Sequence, residues 1–121
     1  MAENTAYTGT KTLKTDAPAS VTGKVVYGAT AITAADYTEI KLGFRPTYVE
    51  WENATDRTNI VWYEGMGDNA CVKTIAAGTR TLETSGGNGG ITVTDTGFRV
   101  SQNATLAAIL ASKTCYYRAE G

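Results

Sequence analysis

The chain has 121 residues, 42% of them hydrophobic, and a formal net charge of −1. That length fits one domain with a core large enough to need no staples, and the apolar content excludes a disordered chain. Scattered charges exclude the basic field that a nucleic-acid binder needs to displace counterions. Abundant threonine and glycine, with little leucine or glutamate, favour strands and tight turns over helices.

The first residues, "MAENTAYTGTKTLKTD", carry neither the charged nor the apolar block of a secretory signal. No apolar run approaches the roughly 18–20 residues that cross a bilayer, so we expect a soluble chain made in a cytosol, without a membrane partner. Residues 1–20 read as a polar, threonine-rich extended arm that ends at "TDAPAS", where Pro18 punctuates the chain. Such an arm can order by adding a strand to a neighbour's sheet edge.

Short strand-like segments follow, with turn signals every eight to twelve residues. "GKVVYG" (23–28) is bounded by glycines, and "DYTEIKLG" (36–43) alternates Tyr37, Glu39 and Lys41 against Thr38, Ile40 and Leu42. "PTYVEWEN" (46–53) places Val49 and Trp51 on one face, with Tyr48, Glu50 and Glu52 on the other. "RTNIVWYEG" (57–65) is apolar on both faces, as a strand covered on both sides would be. Between the last two, "NATDR" is a turn that pairs them as a hairpin.

The expected core residues of this hairpin are Trp51, Ile60 and Trp62, while Tyr48, Tyr63 and Met66 are expected to face outward. "ACVKTIAAG" (70–78), "TRTLETS" (79–85), "GGITVTD" (89–95), "GFRVSQ" (97–102) and "KTCYYRAE" (113–120) complete the strands. One segment differs. "NATLAAILA" (103–111) spaces Leu106, Ile109 and Leu110 as a helix does, with Asn103 as N-cap, and predicts a short helix near 104–111. It lacks the basic face of a membrane anchor. The fold class is therefore all-β: an antiparallel, jelly-roll-like β-sandwich over residues 21–121, with one short helix and an N-terminal arm.

The chemistry is sparse. With no histidine in the chain, Ser–His and Cys–His catalysis are excluded. Ser20, Ser85, Ser101 and Ser112 sit in turn-like settings that do not mark a Ser–Lys pair. Glu50 and Glu52, with Glu64 opposite, are the one paired-carboxylate candidate for a hydrolase, but solvated glutamates on the polar face of a strand are far commoner and are the reading adopted.

The glycines of "SGGNGG" (85–90) lead into a strand and not a helix, so they read as a hairpin connection and not a phosphate cradle. "GMGDN" (65–69) has too few oxygen ligands for calcium and reads as a turn. Asn53 and Asn103 begin sequons, and the expectation is that they start a turn and cap a helix. Cys71 and Cys115 are expected as free thiols, with a bridge between neighbouring strands as the alternative. No catalytic residue, metal or cofactor is expected.

In order, "KLGFRPTYVEWENATDR", "YEGM", "VKTIAAGTRTLETS", "GITVTDTGFRVS" and the closing "KTCYYRAEG" resemble small virion structural proteins of tailed bacteriophages, most like head decoration (cement) proteins. The likeness covers residues 37–121 and carries no active-site residue. It implies a non-enzymatic β-module on the capsid surface, made in the bacterial host cytoplasm. The implied partners are the major capsid protein and further copies of the chain, in a trimer or other small homo-oligomer.

The interface residues expected on this reading are Tyr7, Lys11 and Lys14 in the arm, with Tyr48, Tyr63 and Met66 on the hairpin. The alternative is a fibre- or tail-associated module that reads host glycans, presenting Trp62, Tyr63 or Tyr48 beside a groove.

Overall fold

Among the described residues, alternation of apolar and polar residues places nine strands in two antiparallel sheets that face each other. The computed structural model describes residues 20–30, 36–84, 90–101 and 108–121. The strands are β1 (Ser20–Val26), β2 (Tyr37–Lys41), β3 (Tyr48–Asn53), β4 (Thr58–Tyr63), β5 (Cys71–Thr74), β6 (Arg80–Glu83), β7 (Ile91–Thr94), β8 (Gly97–Ser101) and β9 (Thr114–Glu120). One sheet has six strands in the order β1-β9-β3-β4-β5-β6, the other three in the order β2-β8-β7. The sandwich expected from the sequence is the observed architecture.

The core fills the space between the sheets. Val49 and Trp51 of β3, Ile60 and Trp62 of β4, Cys71, Cys115 and Ala119 come from the large sheet; Ile91, Val93, Phe98 and Val100 come from the small one. Trp51 is its centre. Its ring stacks on Tyr117 at 6.0 Å and meets the edge of Phe98 at 6.2 Å. Phe98 and Tyr117 close the triangle at 5.7 Å, so one aromatic cluster joins β3 and β9 to β8. The Tyr117 ring lies across Gly23 of β1, where a Cβ would come within 2.3 Å of it.

Both indole N–H groups are satisfied by loop carbonyls: Trp51 Nε1 donates to Ala108 O at 2.9 Å and Trp62 Nε1 to Gly67 O at 2.8 Å. That satisfies a polar group that is costly to bury unpaired.

The hairpin turn is fixed by its own side chains. Asp56 N donates to Asn53 Oδ1 at 3.1 Å, and Asn53 Nδ2 donates back to Asp56 Oδ2 at 3.0 Å. Lys113 Nζ holds the other oxygen of Asp56 at 3.1 Å, which ties the turn to the start of β9. Arg57 takes the left-handed backbone, φ 61°, and closes the loop onto the Asn53–Thr58 pair. Asn53 begins the turn as expected and is fully buried.

The sheets are linked along one side by the Ala70–Ile91 bridge, beside which Asn69 accepts from Ser101 Oγ at 2.8 Å and donates its N–H to Thr92 Oγ1 at 3.0 Å. "GMGDN" is thus a turn whose last residue, left-handed at φ 50°, pins it to the small sheet.

Two expectations are corrected and a third falls outside the described residues. Residues 104–107 of the expected helix lie outside the described residues, and 108–111 form a bend and a turn instead of helix. The reason is tertiary: the Ala108 carbonyl is taken by Trp51 Nε1 and by Cys115 Sγ at 3.4 Å. Strand β4 is not covered on both sides; Ile60 and Trp62 are buried while Val61 is half-exposed and Tyr63 exposed. Strand β1 is described from Ser20 onward, and residues 1–19, which make up most of the expected arm, lie outside the described residues.

Candidate functional site

Strand register places the outward side chains of the six-stranded sheet in rows, each row crossing the sheet at right angles to the strands. One row runs Lys24, Tyr116, Glu52, Asn59, Thr74, Arg80. The next runs Thr22, Arg118, Glu50, Val61, Val72, Leu82, and the third Ser20, Glu120, Tyr48, Tyr63. The face is uncovered by any described element and divides into two halves.

The half over β4–β6 is apolar. Val61, Val72 and Leu82 make a stripe that reaches β6, the last strand of the sheet among the described residues, where Leu82 is 62% exposed. Tyr48 and Tyr63 meet beside it with ring centroids 5.5 Å apart, and Tyr63 is 52% exposed. The Tyr48 phenol is raised in pKa, first by burial and then by the Glu50 carboxylate.

The half over β1, β9 and β3 is a shallow groove of about 430 Å³ lined by Thr22, Lys24, Glu50, Glu52, Tyr116 and Arg118. Glu50 Oε2 accepts from Asn59 Nδ2 at 3.0 Å, and the Tyr48 hydroxyl makes a long contact of 3.5 Å with Oε1. Arg118 pairs with Glu120 along its own strand.

Of the residues expected at an interface, Tyr48 and Tyr63 come together on this face. Met66 does not: it is half-buried against the core, and its Sδ accepts from Tyr63 N at 3.1 Å, because the tight turn after β4 folds it back. Tyr7, Lys11 and Lys14 lie outside the described residues. Trp62, offered by the glycan alternative, is 2% exposed and belongs to the core. Glu50 and Glu52 share the outer face, while Glu64 sits in the exposed turn after β4 and does not line the groove. Sequence reading missed Lys24, Tyr116, Arg118 and Leu82. Each faces outward by simple alternation, but their adjacency depends on β9 lying between β1 and β3.

The two cysteines are free and fully buried. Strands β3 and β4 separate β9 from β5, so three strand spacings of about 4.8 Å keep the thiols beyond disulfide reach. Burial pushes Cys71 up to about 12 and Cys115 up to about 11. Both values lie above the ordinary thiol value, so their burial contributes stability that is whole at neutral pH. It is lost as pH climbs from about 9 through 12. Urea unfolding repeated across that range should show a falling midpoint, and a Cys71→Ala/Cys115→Ala variant a shallower fall. An equal slope would contradict the assignment.

Among the described residues no cluster of three or more cysteine, aspartate or glutamate side chains could hold a metal, and no helix is long and apolar enough to cross a membrane. The face itself offers hydrogen-bond acceptors, donors and aromatic area on paired strands. In comparisons with family models, curated proteins and solved structures, the chain matches none.

Proposed function

We propose that the chain is a non-enzymatic structural component of a tailed-bacteriophage virion, a decoration protein that binds the assembled head and stabilises its shell. The observation that carries this reading is the face of the six-stranded sheet left uncovered by any described element, where the Val61–Val72–Leu82 stripe reaches β6 beside the Tyr48–Tyr63 pair. Apolar and tyrosine area set on paired strands is ordered before binding, so docking costs little conformational entropy. The order of motifs along residues 37–121 directs the choice of partner to the major capsid protein.

A shell offers the same patch many times, and copies that also touch one another gain avidity from contacts that are weak singly. Leu82→Glu places a charge in the stripe at an exposed position and should leave folding within about 0.5 kcal/mol of wild type. The test is a count of copies bound to purified heads. Saturation at hundreds of copies per head supports the reading; failure to bind heads overturns it.

A further inference from the structure

We propose that the groove over β1, β9 and β3 is a binding subsite for a neutral saccharide. This goes beyond the virion reading and does not depend on it. The argument begins with which polar groups in the groove are already engaged. Glu50 is held by Asn59 and Tyr48, and Arg118 by Glu120.

Two groups remain. Glu52 has no hydrogen bond or ion pair among the described residues, and the one contact of Lys24 is its ammonium 6.0 Å from the centre of the Tyr116 ring. Register sets these three side by side, Lys24 opposite Tyr116 and Tyr116 opposite Glu52. The ammonium and the carboxylate stems therefore flank an aromatic ring that is 47% exposed, about 10 Å apart across two strand spacings.

A carboxylate only accepts hydrogen bonds and an ammonium only donates them. A ligand lying over Tyr116 must therefore donate at the Glu52 end, accept at the Lys24 end and offer a flat apolar surface between them. Sugar hydroxyls do both, and the C–H face of a pyranose ring stacks on an aromatic side chain. The charge balance selects further: two carboxylates face two cations across the groove. A phosphate or other polyanion meets Glu50 and Glu52; a polyamine meets Lys24 and Arg118. A neutral polyol meets neither penalty. The volume of about 430 Å³ lies in the range of small-ligand sites.

The experiment is an amide-resolved NMR titration of the full chain with a panel of neutral trisaccharides (maltotriose, xylotriose and N,N′,N″-triacetylchitotriose), with inorganic phosphate and spermidine as charged controls. At millimolar concentration, at least one trisaccharide should shift the amides of Lys24, Glu52 and Tyr116, and neither control should. Glu52→Gln and Tyr116→Ala should each weaken that binding at least tenfold, while Tyr63→Ala on the other half of the face leaves it unchanged. The same spectra report whether each variant is folded. The proposal is overturned if no trisaccharide shifts those amides, if the shifts survive both groove substitutions, or if a charged control shifts them as strongly. Because head binding is read separately, failure here leaves the decoration reading standing, and the reverse also holds.

Discussion

Replacing Trp51 with alanine should cost about 3–5 kcal/mol, the range for removing a large buried aromatic. Three losses combine at this position. The ring leaves a void between the sheets where it now stacks on Tyr117 and meets Phe98. The Ala108 carbonyl loses its indole donor. Tyr117, no longer held from below, is freed to shift off Gly23. Since domains of this size are stable by only about 5–15 kcal/mol, the variant should be largely unfolded or melt far below wild type.

Tyr63→Ala is the matched control, an aromatic twelve residues away in the same hairpin whose side chain faces solvent. It should change stability by about 0.5 kcal/mol or less. Denaturant melts of the two variants separate scaffold from surface, and equal losses would contradict the assignment.

Gly97→Ala should be nearly as damaging, at about 3 kcal/mol or more, although it adds a single methyl group. Gly97 begins β8, the middle strand of the small sheet, between Lys41 of β2 and Thr94 of β7. A Cβ there would lie 1.9 Å from the Ile40 carbonyl oxygen and 3.2 Å from Leu42 N. Both obstacles are backbone, so no rotamer relieves them. The clash must instead part β2 from β8 at its tightest point and drag Phe98 out of the aromatic cluster. The measurement is the thermal midpoint, expected to fall by roughly 4 °C or more for each kcal/mol lost. A midpoint within a degree or two of wild type would show that the strands can separate without cost.

These two positions also show what a sequence can and cannot disclose. Trp51 was legible: period-two alternation in "YVEWEN" fixes which face it shares with Val49, and large apolar residues on one face form a core. The "NATDR" turn and the hairpin it closes were legible for the same local reason. Gly97 was not legible, because the clash that excludes a side chain comes from Ile40, fifty-seven positions earlier. The groove was hidden likewise. Lys24, Glu52 and Tyr116 belong to three distant segments, and only the insertion of β9 between β1 and β3 brings them together.

Over 108–111, the described part of the expected helix, tertiary contacts outweigh propensity. Alanine-rich spacing favours helix around Ile109, yet Ile109 is buried in the core and the Ala108 carbonyl serves Trp51. Met66 failed by a related route, since a soft thioether beside a tight turn folds back to fill space under Tyr63.

The aromatic stretch from Tyr48 to Asn69 is thus core on one face and exposed aromatic surface on the other. Trp51, Ile60 and Trp62 hold the sandwich, while Tyr48, Tyr63 and the stripe ending at Leu82 are the area that, on our proposal, meets the capsid. The measurement that tests this most directly is the number of copies retained on purified heads by wild type and by Leu82→Glu, added side by side. Wild type should saturate at hundreds of copies per head, and the folded variant should lose at least nine-tenths of that occupancy. Equal occupancy by the two would contradict the docking face, and absence of both from the heads would contradict the virion reading itself.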